Sequence, residues 1–116
     1  MKTSALFVID SDPRLSGRPA EAVRIAAGVG VWKKVDVAIY LRNTAVLVLG
    51  EDADSFVDGE NYTRYLPVLR ELGRPIYVQK GASVAESLAQ KTYLIEEISD
   101  DQLGEMAAAH SCVLHF

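Results

Sequence analysis

Leu6-Phe7-Val8-Ile9, then the turn Asp10-Ser11-Asp12-Pro13-Arg14-Leu15-Ser16-Gly17-Arg18, then a small-residue run opening at Pro19, is the stretch that decides the fold. Four consecutive apolar residues, without alternation, predict a strand buried on both faces. Pro19 suits a first helical turn, where its missing N–H has no partner to lose. The spacing predicts a helix over about 18–32, with Glu21, Arg24 and Gly28 outward and Ala22, Ile25, Ala26, Val29 and Trp32 as the apolar face. Gly28 and Gly30 each cost a helix about 1 kcal/mol relative to alanine, which a close approach by another element would explain. Gly28-Val29-Gly30 is no dinucleotide fingerprint, because it ends a helix instead of joining strand to helix.

A strand, a polar turn and a helix in that order begin an α/β fold, and the turn after the strand is where such folds bind ligands. Val35 to Leu41 reads as the second strand. Thr44 to Leu49 is ambiguous, its Val and Leu content favouring a strand and Thr44 a capped short helix. Asn61 caps a predicted helix to Leu72, with Tyr62, Tyr65, Leu66, Leu69 and Leu72 at helical spacing. Pro67 inside it predicts either a kink or a late start near Leu66. Pro75 to Val78 is the third strand. Ser83-x-x-Glu86 and Ser99-x-x-Gln102 read as capping boxes of two more helices, the second running to about Ala109. Tyr93 to Ile98 and Ser111 to Phe116 supply the fourth and fifth strands. The expectation is one α/β domain over residues 1–116, with a mostly parallel five-stranded sheet covered on both faces. Strand order is not legible.

Composition narrows the function. With 116 residues the chain can bury roughly two thirds of its unfolded surface. A net charge of −4 with scattered Arg and Lys argues against nucleic-acid or anionic-membrane binding, which needs a clustered basic surface. Glu51, Asp52, Asp54, Asp58 and Glu60 form an acidic run without EF-hand order, so it reads as a solvated loop. Cys112 is the sole cysteine, which excludes an internal disulfide and a Cys-based metal site and fits a reducing, cytoplasmic compartment. His110 and His115 alone argue against a His-rich metal site, and no cofactor motif or P-loop occurs. The N-terminal apolar run is too short for a signal peptide, and no run approaches the ~20 residues of a membrane helix.

Three places could carry chemistry. In the first turn, Arg14, Arg18 and helix-start N–H groups suit a small anion, unless Asp10 and Asp12 already neutralise them. After the third strand, Gln79-Lys80-Gly81 offers a lysine at a turn. Cys112 alternates with Leu114 and Phe116 on one strand face and reads as an inert core thiol, with His115 on the opposite face.

Ile9-Asp10-Ser11-Asp12-Pro13-Arg14, Pro19-Ala20-Glu21-Ala22, Tyr40-Leu41-Arg42-Asn43-Thr44-Ala45-Val46 and the ending Cys112-Val113-Leu114-His115-Phe116 resemble the DsrE/TusD-like (DsrEFH-like) sulfur-relay family. The resemblance covers nearly the whole chain in element order. It implies a cytoplasmic α/β/α sandwich that assembles into trimers or hexamers, often with related subunits, and it favours a short helix at Thr44–Leu49. Sulfur-carrying members hold a persulfide on a cysteine just after the third strand. Here that stretch is Val78-Gln79-Lys80-Gly81, without a cysteine, and Cys112 matches a C-terminal family cysteine instead of the carrier. The leading expectation is therefore an oligomeric DsrE-like subunit or interaction protein with no catalytic residues and no persulfide-carrier activity. The alternatives are a small-anion binder at the C-terminal rim of the sheet, through Asp10, Asp12, Arg14, Arg18, Asn43, Gln79 and Lys80, or a sulfur-relay protein using Cys112.

Overall fold

The computed structural model describes residues 3–81 and 95–116. The described elements are strands β1 (Thr3–Ile9), β2 (Val35–Leu41), β3 (Ile76–Gln79), β4 (Ile95–Ile98) and β5 (Cys112–His115), with helices α1 (Arg18–Val31), α2 (Glu60–Glu71) and α3 (Asp100–Ala109) after β1, β2 and β4. The sheet order is β4-β3-β2-β1-β5, and every pairing is parallel. The Ser83-x-x-Glu86 box and the start of the fourth predicted strand lie outside the described residues.

Alternation along β1 splits the core in two. Ala5, Phe7 and Ile9 join α1, α2 and the 3₁₀ segment Asn43–Leu49 in the larger cluster. Leu6 and Val8 join Tyr40 and Ile98 under Leu103, Met106 and Ala107 of α3 on the other face. The result is a three-layer α/β/α sandwich with unequal layers. The α3 side is thin, since α3 packs on the sheet yet has no fully buried residue.

Local chemistry explains the element ends. The Ser99 hydroxyl accepts from the Gln102 amide and the Gln102 side chain accepts from the Ser99 amide, closing the second capping box. Helix α2 starts at Glu60 with Gly59 as its cap and continues through Pro67, so the late start does not occur. Asn61 does not cap it, and its side-chain amide reaches the Ala20 carbonyl on α1 instead, at 3.4 Å. Gly30 makes the expected close approach, because a Cβ there would come 2.8 Å from the Leu72 Cδ1 atom. Gly28 faces open space.

Two expectations about burial are corrected. Trp32 is 65% exposed because the buried face of α1 runs through Ala22, Val23, Ala26, Ala27 and Gly30, and the indole lies off that face, under the Lys34 ammonium. Cys112 is exposed, not a core thiol. It has the predicted face, in register with Ala5, but β5 is an edge strand bordered by β1 on one side alone.

Tyr40 and Tyr62 are both fully buried, and neither hydroxyl has a hydrogen-bond partner among the described residues. Burial pushes the Tyr62 phenol well above its ordinary value of 10.0 and raises Tyr40 as well. A phenol whose pKa is raised on folding contributes stability that is present below pH 10 and lost as pH climbs past it. Tyr62→Phe removes a buried polar group without a partner, so it should be neutral or stabilising by up to about 1 kcal/mol at pH 7. It should also flatten the alkaline loss. Denaturant midpoints at pH 7 and 10.5 check both, and a loss above 1 kcal/mol at pH 7 would mean that the hydroxyl is bonded.

Candidate functional site

Parallel strands bring all five carboxyl ends to one rim, and backbone and side-chain bonds stitch that rim together. The Lys80 amide donates to the Ile98 carbonyl at 3.0 Å, and the Gly81 amide donates to the Glu97 carboxylate at 3.2 Å. The Asn43 amide donates to the Gln79 side-chain oxygen at 3.0 Å. Asn43 Nδ2 reaches Asp10 Oδ1 at 2.5 Å. Asn43 holds this position in the left-handed region, φ +53°, which asparagine tolerates better than most residues. Beyond β1, the Asp10 and Ser11 amides both donate to the Phe116 carbonyl, at 2.9 and 3.3 Å.

The chain builds its sheet outward from β1 through β4, then returns to place β5 on the other side of β1. Such a reversal leaves a crevice outside the carboxyl ends of the two strands, the place where open α/β sheets bind ligands. A cleft of about 340 Å³ lies there, lined by Asp10, Ser11, Arg18, Arg42, His115 and Phe116 with Val8 beneath. Arg18 reaches it from the start of α1 and donates to the His115 carbonyl at 3.2 Å. Arg42 enters from the end of β2, its amide bonded to the Ile9 carbonyl at 3.1 Å. Its Nε is buried with no hydrogen-bond partner among the described residues.

The residues singled out in sequence separate into three groups. Asp10, Asn43 and Gln79 form one hydrogen-bonded row, with Arg18 at the cleft beside Asp10. Asp12 and Arg14 form a closed unit of their own outside the cleft. Asp12 Oδ1 accepts from the Arg14 amide and Nε at 2.9 and 3.0 Å, and Oδ2 accepts from the Arg14 guanidinium at 2.8 Å. Hydrogen bonds from Arg14 hold the Asp12 carboxyl below its usual range. Lys80 is exposed at the β3 end, away from the cleft lining. Ser11 and His115 join the cleft without a mark in the sequence, whereas Arg42 follows β2 and so falls with Asn43 at the carboxyl rim that the strand pattern predicts.

Cys112 begins β5, three residues and so roughly 10 Å of strand before the rim. Two further clefts, of about 190 and 250 Å³, flank the Arg74–Asp36 ion pair at the opposite end of the sheet.

The ychN protein from E. coli, a crystal structure, superposes on this chain with a TM-score of 0.76 over 100% of both chains at 18% sequence identity. The fold is DsrE-like. No protein-family model and no curated protein matches the sequence. The DsrE-like likeness therefore rests on architecture, and at this identity it speaks for the fold alone. Among the described residues no helix is long and apolar enough to cross a membrane, and no group of His, Cys, Asp or Glu side chains is arranged to hold a metal ion.

Proposed function

We propose that this chain is an oligomeric DsrE-like subunit or interaction protein of the cytoplasm, without persulfide-carrier activity, that associates with copies of itself or with related subunits. The observation that carries the reading is the end of β3. There the chain offers the Gln79 amide, the Lys80 ammonium and Gly81, and none of them can accept a sulfane sulfur and pass it on. The lone thiol begins β5, an edge strand, one strand length from that rim.

Association is supported by the thin face. Leu103, Met106 and Ala107 of α3, with Ala38, Tyr77 and Val113 of the sheet, are only half-buried around the second core cluster. Apolar side chains left partly exposed over a thin layer are what a second subunit can cover. Size-exclusion chromatography with light scattering at 10 µM should give a trimer or hexamer, and Met106→Glu should shift it to a monomer that keeps its circular dichroism. A wild-type monomer would remove the oligomer reading. Incubation with a cysteine desulfurase and mass spectrometry tests the other half, where a +32 Da adduct lost in Cys112→Ser would assign a carrier role to Cys112.

A further inference from the structure

The arginines of this molecule are not partnered alike. Arg14, Arg24 and Arg74, all away from the rim cleft, are each ion-paired, with Asp12, Glu21 and Asp36 respectively, and Arg64 lies over the Tyr65 ring. The two that line the cleft have no ion pair among the described residues. Arg18 spends one donor on a neutral carbonyl, which leaves its other donors for a ligand in the cleft. Arg42 has a backbone bond and a buried Nε with no acceptor among the described residues. Leaving a charged donor buried and unbonded costs more than the 1–3 kcal/mol typical of a neutral one. The cleft that Arg42 lines offers a place for an acceptor.

We propose that this cleft is a binding site for a small oxyanion that still carries a proton, of the hydrogen-phosphate type. The guanidinium groups of Arg18 and Arg42 supply charge and several N–H donors suited to a tetrahedral oxyanion. The Ser11 hydroxyl on the cleft wall adds a donor. At about 340 Å³ the space lies at the small end of ligand pockets, which run from ~300 to ~1,000 Å³.

Asp10 sets the selectivity. Its Oδ1 is held by Asn43 Nδ2, while Oδ2 accepts no hydrogen bond among the described residues, and the residue lines the same cleft. A carboxylate there repels a fully deprotonated anion such as sulfate, yet it accepts a hydrogen bond from a P–OH group. Two cations and one acceptor thus favour an anion that donates as well as accepts.

Isothermal titration of the full chain at pH 7 and constant ionic strength, with inorganic phosphate and with sulfate as the probes, tests this. Phosphate should bind at least tenfold more tightly than sulfate. Arg42→Gln should weaken phosphate at least tenfold, and Arg14→Gln, outside the cleft, should leave it unchanged. Asp10→Asn should erase the preference by admitting sulfate. Should Arg42→Gln fail to fold, Arg18→Gln at an exposed position gives the same reading. Equal binding of the two anions by the unaltered protein, no phosphate binding at all, or equal effects of Arg14→Gln and Arg42→Gln would overturn the assignment.

Discussion

Gly59→Ala should destabilise the protein by about 2–3 kcal/mol, enough to lower Tm by roughly 10 °C in a chain of this size. Gly59 caps α2 with ordinary helical dihedrals, φ −60° and ψ −24°, so the cost is spatial and has no backbone-strain component. A Cβ would lie 2.5 Å from the Ala53 carbonyl oxygen and closer still to that of Asp54. Both belong to the 3₁₀ segment Glu51–Ser55, whose backbone cannot rotate away as a side chain can. The segment or the helix start must therefore shift, and the Gly59 amide bond to the Phe56 carbonyl, at 2.9 Å, shifts with it. Gly28→Ala is the matched contrast. Nothing lies within 4 Å of a Cβ there, the site is exposed mid-helix, and the change should stabilise by up to about 1 kcal/mol. Thermal melts of the two variants should move in opposite directions. A small loss for Gly59→Ala would mean that the acidic 3₁₀ segment yields readily and does not anchor α2.

Glycines also mark the boundary of what the sequence reveals. Gly28 and Gly30 look identical as helix residues, and only the packed molecule separates the one under Leu72 from the one in solvent. The β1 turn, the strand–helix alternation and the Ser99 capping box were legible because each is a local pattern with a local cause. Strand order was not, because parallel pairing is decided by crossovers that leave no local mark. That order hides the cleft as well. Asp10 and His115 are over a hundred residues apart, and they become neighbours only because β5 docks on β1 and not on β4. The same order makes β5 an edge strand. An apolar alternation that reads as core, Cys112-x-Leu114-x-Phe116, therefore leaves Cys112 exposed, Leu114 39% exposed, and only Phe116 well packed. The Asp12–Arg14 unit was harder to read for the opposite reason. Two charges at i and i+2 in a turn suit a ligand or each other equally well, and the side-chain geometry decides.

Phe7→Ala should be a severely damaging substitution, costing about 3–5 kcal/mol of the roughly 5–15 kcal/mol that holds a domain together. Phe7 has no exposed surface and sits in β1 between β2 and β5, so no neighbouring strand can collapse into the space it leaves. Its ring stacks on Phe116 with centroids 5.9 Å apart and planes at 15°, a geometry worth a further fraction of a kcal/mol beyond area. Leu114, its partner in register on β5, provides the control. Leu114→Ala at a partly exposed edge position should cost about 1 kcal/mol or less. The stack also ties stability to the site, because Phe116 lines the cleft and its carbonyl holds the Asp10 and Ser11 amides. Phe7→Leu keeps most of the volume and should lose only about 1–2 kcal/mol, leaving a folded protein whose Phe116 has lost its ring partner. If the stack fixes the cleft wall, Phe7→Leu weakens phosphate binding while Leu114→Ala leaves it alone, although neither side chain touches the ion. Equal phosphate affinity in Phe7→Leu and the unaltered protein would show that the backbone bonds of Phe116 hold the wall without the ring.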